Sequence, residues 1–211
     1  MDESSVTSSA IVLSGGESTR FKADKGLFPV YHKPLVRYVI DAVTPLVDEV
    51  LIVTSSQDKV NAYTHIFPSL RIVADEYQSR GVMSGALTGF KNAAGEHSLL
   101  LPCDTPLLSR KVLALLIDLA PDHDAVIPRW PNGYLEPLQA IYRTHEAYNA
   151  ARESLAAGEF RPRHMISRLN KVLYVSTIVL QKVDPGLLTF HNVNTFHDLQ
   201  RIKNRLKSVP P

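Results

Sequence analysis

Residues 10–16 read Ala10-Ile11-Val12-Leu13-Ser14-Gly15-Gly16. Four apolar residues in a row, two of them β-branched, make a short buried strand. Ser14-Gly15-Gly16 then ends it. Paired glycines let a chain turn so that successive backbone N–H groups point at an anion. The chain continues Glu17-Ser18-Thr19-Arg20-Phe21-Lys22-Ala23-Asp24-Lys25. Ser18 and Thr19 add hydroxyl donors, and Arg20 and Lys25 supply fixed positive charge for a polyphosphate. The spacing is neither that of a Walker A loop nor G-x-G-x-x-G. A glycine pair alone would be an ordinary turn with a solvated basic face. Strand, double glycine, hydroxyls, Arg20 and Lys25 together read as a phosphate-holding loop.

Downstream, Pro34 opens a periodic run of Leu35, Tyr38, Val39, Ala42, Val43 and Leu46, an amphipathic helix with proline at its first turn. Val50–Val53 and Leu70–Ala74 read as further strands, and a small-residue helix runs from Ala86 to Ala94 after Gly81 and Gly85. Ser98–Leu101 is a fourth strand, Val112–Leu119 a helix and Asp124–Pro128 a fifth strand. Beyond these, Leu135–Tyr142 reads as a strand, Thr144–Ala157 as a helix stopped by Gly158, Lys171–Ser176 as a strand and Thr195–Lys207 as a closing helix. Strands alternating with helices imply βαβ units and a mostly parallel sheet. Ser14, Thr54, Asp75 and Asp104 each follow a strand, and ligands of open parallel sheets sit at those carboxyl ends. Four polar strand ends therefore point to one site.

The 211 residues are 45% hydrophobic and 21% charged, ordinary for a globular chain. With no repeat or linker-like shift, one domain over residues 10–207 is expected, flanked by a flexible segment 1–9 and a tail 208–211. Net charge is only +2, so nothing global favours nucleic acid or a membrane surface. One cysteine, Cys103, excludes an intramolecular disulfide, and residues 1–9 lack the features of a signal peptide. A cytoplasmic protein is expected, with Cys103 a buried small hydrophobe.

The loop Gly-Gly-x-Ser-x-Arg, with lysine five residues after the arginine, resembles the signature of nucleotidyltransferases related to sugar-nucleotide pyrophosphorylases. More narrowly, it is similar to the molybdenum cofactor guanylyltransferases, except that Lys22 stands where they usually carry glycine. Pro102-Cys103-Asp104-Thr105-Pro106 resembles their metal-binding aspartate segment, and Asn192-Val193-Asn194-Thr195 their C-terminal asparagine segment. Without that context, Asp104 reads equally well as a turn or capping residue, and the asparagines as a turn before a cap at Thr195. The alternation does place both amides on one side of an extended segment.

The resemblance implies a three-layer α/β/α, Rossmann-like fold with a mostly parallel central sheet. It implies Mg²⁺ on Asp104 and Asn194, with Arg20, Lys25 and Asp104 catalytic. It also implies nucleotide contacts from Leu13, Ser14, Gly15, Gly16, Ser18, Asp75, Gly81, Gly85 and Asn192, Asp75 facing guanine or ribose. The implied reaction moves GMP from GTP to the phosphate of a molybdenum-bearing molybdopterin. Transient contact with molybdoenzymes or their chaperones is compatible with it, as is a monomer or small homo-oligomer, though no sequence feature encodes a partner surface. Arg161, Arg163 and His164 could receive the acceptor's phosphate or simply form a solvated helix start. Rival readings are a cytidylyltransferase for the same cofactor, a guanylyltransferase for a cobamide precursor, a sugar-phosphate nucleotidyltransferase, and a non-catalytic nucleotide-binding module.

Overall fold

The computed structural model describes residues 8–15, 24–77 and 81–206. In chain order the elements are β1 Ser8–Ser14, β2 Pro29–Val30, β3 Lys33–Pro34, α1 Leu35–Val43, β4 Glu49–Thr54, α2 Gln57–Ile66, β5 Arg71–Ala74, α3 Val82–Asn92 and β6 His97–Pro102. They continue with α4 Arg110–Asp118, β7 Ala125–Arg129, β8 Ala140–Arg143, α5 Thr144–Ala156, α6 Pro162–Ile166, β9 Val172–Ser176, α7 Thr177–Leu180 and α8 Phe196–Leu206.

Among the described residues, seven strands form one sheet in the order β5-β4-β1-β6-β8-β7-β9. β1 is parallel to both neighbours, with Ser14 opposite Thr54 on one side and Leu13 opposite Pro102 on the other. Only β8 runs against the rest, pairing antiparallel with β6 and β7. The chain winds outward from β1 through β4 to β5, then crosses back to β6 on the other side of β1. That reversal opens a crevice between the carboxyl ends of β1 and β6, where open α/β sheets take their ligands.

The period-two alternation of the strands builds the three layers. Ala10 and Val12 of β1, with Leu99 and Leu101 of β6, pack against α1, α2 and α4 through Val36, Val39, Tyr63 and Leu113. Ile11 and Leu100 point the other way, to Met83 and Leu87 of α3 and Ala147 and Ala151 of α5. The central strands are buried on both faces, which is why they read as continuous apolar runs. Gly89 on α3 allows this approach, since a Cβ there would overlap the Ile11 side chain. A third, smaller cluster of Val30, Leu35, Val193, Leu199 and Ile202 fastens α8 to the β2–β3 hairpin.

The expected strand over 135–142 shortens to Ala140–Arg143. Before it the chain folds on itself, Glu136 N–H donating to the Pro128 carbonyl and Trp130 N–H to that of Tyr134. Pro137 has no N–H for a ladder, and Trp130 Nε1–H donates to Glu136 Oε1 at 2.6 Å. Helix α2 is an addition to the expected elements. Only Tyr63 of it is buried, so it carries no apolar stripe to read, although Ser56 caps it by accepting from Lys59 N–H.

Candidate active site

The site is assembled at the carboxyl edge of β1 and β6. Cys103 N–H donates to the Leu13 carbonyl at 3.0 Å, so the turn after β6 stays bound to the end of β1. Val193 N–H donates to the Asp104 carbonyl at 2.8 Å, bringing the asparagine segment alongside. Val193 is buried while Asn192 and Asn194 are exposed, the alternation an extended segment requires. Thr195 and Asp198 then start α8 with a capping box: Asp198 N–H donates to Thr195 Oγ1, and Thr195 N–H donates back to Asp198 Oδ2. Burial works against ionisation of Asp198, but the Thr195 hydroxyl and the two backbone donors outweigh it and lower its pKa.

Lys25 binds this arrangement together. Its Nζ donates to Asp104 Oδ2 at 2.5 Å and to Asn194 Oδ1 at 2.9 Å. Both members of the ion pair are largely buried, with 16% and 14% of their side-chain surfaces exposed. Asp104 Oδ1 is buried and accepts no hydrogen bond among the described residues. A desolvated carboxylate oxygen without a donor is an open acceptor for a cation. One carboxylate and one amide oxygen suit Mg²⁺, which usually keeps waters and substrate phosphates as its other ligands. Among the described residues, no three His, Cys, Asp or Glu side chains converge as a denser metal cage.

Asp24 secures the chain just before Lys25. Its Oδ1 accepts from the amides of Gly26 and Leu27 and, at 2.7 Å, from the Tyr63 hydroxyl. Its Oδ2 pairs with Lys59 Nζ at 3.0 Å. Ser14, also buried, meets the same Tyr63 hydroxyl at 2.5 Å. Gly26 must be glycine here, because a Cβ would overlap both that hydroxyl and Ser14 Oγ. Asp24 and Tyr63 were not among the residues expected at the site. Asp24 adjoins Lys25 in sequence, but Tyr63 lies on the helix that no periodicity announced.

Asp75 follows β5 at the same edge. Its carboxylate accepts from Ser84 Oγ at 2.5 Å, Thr88 Oγ1 at 3.2 Å and Tyr77 N–H at 3.0 Å. Those bonds fix its orientation and, among the described residues, leave one lone pair of Oδ2 without a donor. Gly81 opens α3 with φ +70, and Gly85 faces Leu13 and Asp75. Thr54 is fully buried, its hydroxyl turned onto the Ser56 and Val73 carbonyls. Cys103 is buried, and burial, helped by the Asp104 charge, pushes its thiol up to about 12.

Among the described residues, Arg163 in α6 and Arg168 just after it have their polar partners outside the Lys25 cluster. Arg163 Nε donates to His164 Nε2 at 3.3 Å, and Arg168 pairs with Glu159 at 2.7 Å. Gly16, Ser18 and Arg20, with Thr19 and Lys22, lie outside the described residues. A cleft lined by Lys91, Glu96, Arg143 and His145 opens at the opposite edge and shares no residue with the site.

Residues 10–172 match the MobA-like NTP transferase domain. The chain belongs to that family. A probable molybdenum cofactor guanylyltransferase of Natronomonas pharaonis is 30% identical over 199 residues, covering 93% of this chain and 96% of that protein. One of Chloroflexus aggregans is 31% identical over 202 residues, covering 92% and 93%. Among solved structures, molybdopterin-guanine dinucleotide biosynthesis protein A from Archaeoglobus fulgidus superposes with a TM-score of 0.79. It is 22% identical and covers 95% of this chain and 100% of that one, a likeness of fold. This NTP transferase thus places Lys25, Asp104 and Asn194 in the crevice its topology opens.

Proposed function

We propose that this protein transfers GMP from GTP to the phosphate of a molybdenum-bearing molybdopterin, releasing pyrophosphate. The observation that carries the reading is the convergence of Lys25, Asp104 and Asn194 at the carboxyl ends of β1 and β6. The names of the relatives supply the acceptor.

In this reading, Lys25 binds the triphosphate and offsets charge on the departing pyrophosphate. The backbone at Gly15 faces the same phosphates, and Asp75 accepts a hydrogen bond from guanine or from a ribose hydroxyl. Asp104 Oδ1 and Asn194 Oδ1 would hold Mg²⁺, which when bound supplies positive charge to the phosphoryl group being transferred. An acceptor phosphate oxygen bonds to the α-phosphorus of GTP while the bond from that phosphorus to the bridging oxygen breaks. The electron pair leaves with pyrophosphate. A phosphomonoester has its second pKa near 6 and is already dianionic at about pH 7, so this chain need not supply a general base. Catalysis is positioning and electrostatics.

The test is titration of GTP, CTP and ATP with Mg²⁺ into wild-type protein and Asp104→Ala, followed by turnover with the molybdopterin acceptor. Selective GTP binding with a Mg²⁺-dependent component lost in the variant is expected. Preference for CTP would change the product, and no nucleotide binding would overturn the reading.

A further inference from the structure

Ser14 closes β1, and Asp24 lies ten residues further on, immediately before Lys25. One hydroxyl joins them. Tyr63 OH donates its single proton to Asp24 Oδ1 at 2.7 Å, so Ser14 Oγ is the donor in the 2.5 Å contact with the phenol oxygen. We propose that Tyr63 is a positioning residue, whose buried hydroxyl locks Ser14 to Asp24 and so sets the backbone from which Gly15 and Lys25 address the triphosphate. This rests on the nucleotidyl-transfer reading above.

Three observations support the assignment. The Tyr63 side chain is fully buried in the α1/α2/α4 layer, so its hydroxyl has no water to exchange these partners for. Burial, reinforced by Cys103 and Asp24, also raises its pKa, which keeps the phenol protonated and able to donate. Asp24 passes the constraint on, holding the amides of Gly26 and Leu27 on the far side of Lys25. Lys59, one helical turn before Tyr63, pairs with the other Asp24 oxygen, so α2 grips this carboxylate at two points. Gly26 is packed so closely on the Tyr63 hydroxyl that no side chain fits between them. A tyrosine serving only to fill the core would not need its hydroxyl shared between the two flanks of the phosphate loop.

The test is Tyr63→Phe, which keeps the ring and removes the hydroxyl, with Asp24→Asn as a second variant should the first fail to fold. Hydrogen exchange at the Gly26 and Leu27 amides of the nucleotide-free protein should accelerate by about tenfold. GTP affinity should fall by about tenfold, while affinity for guanosine, which has no phosphate, stays the same. Equal losses for GTP and guanosine would mean a general structural role and overturn the proposal, as would unchanged exchange and GTP affinity. A wild-type protein that binds GTP no better than guanosine would overturn the phosphate reading beneath it. Normal discrimination in both wild type and variant would remove the positioning role alone.

Discussion

Lys25→Met isolates the ion pair at the centre of the site. Methionine keeps most of the length and apolar stem of lysine, so the change is chiefly the loss of one charge. Among the described residues the Asp104 carboxylate then has no partner: Lys25 is the donor to its Oδ2, and Oδ1 accepts no bond. Removing one member of a buried pair costs about 3–5 kcal/mol. Since 16% of Lys25 and 14% of Asp104 still reach solvent, we discount this to about 2–3 kcal/mol. For a domain of this size, that lowers Tm by about 4–12 °C. Mg²⁺ should then recover much of the loss without nucleotide, because it finds a carboxylate no longer held by an ammonium. At a hundred times its Kd, a ligand returns about 2.7 kcal/mol. The assay is thermal melting of wild type, Lys25→Met and Lys25→Met/Asp104→Asn with and without Mg²⁺. The double variant should melt above the single one and ignore Mg²⁺, since it has no buried charge left to satisfy. A single variant that melts with wild type, or that gains nothing from Mg²⁺ beyond what wild type gains, would mean that Lys25 does not offset a buried charge on Asp104.

Burial, aided by the charge of Arg143, lowers the pKa of His97 from its ordinary 6.5, so below that pH the unfolded chain binds more protons than the folded one. Stability should therefore fall as pH drops through and below about 6.5, by up to about 1.4 kcal/mol per unit, and urea melts of His97→Leu should show a shallower slope. Cys103, buried with its thiol raised to about 12, should resist a disulfide reagent at neutral pH in the native protein and react fully in denaturant. Rapid labelling of native protein would contradict its burial. Gly89→Ala gains helix propensity but drives a methyl into Ile11, so chemical denaturation should show a net loss of about 1–2 kcal/mol.

The fold was legible wherever burial left its mark on residue type. β1, β4 and β6 are apolar on both faces, and their strands were readable to within a residue or two. α2 was not, because a helix that buries one tyrosine shows no period. The reversed direction of β8 in the seven-stranded sheet was also hidden, since its apolar residues do not encode direction. At the site, the resemblance singled out Asp104 and Asn194, and the structure brings both to Lys25. What it could not convey was the role of Tyr63. Its place in the site depends on which helix crosses behind the loop, a tertiary fact with no local signature.

The reversed direction of β8 has a consequence for how such a protein can diversify. β7 ends at the carboxyl edge of the sheet and β8 begins there, so the connecting residues 130–139 never leave the side where Asp104 lies. Their ends are fixed by ladder hydrogen bonds in the core, whereas Tyr134 at the tip stands open to solvent. Insertions or replacements there would reshape that edge of the sheet while leaving Lys25, Asp104 and Asn194 on their own scaffold.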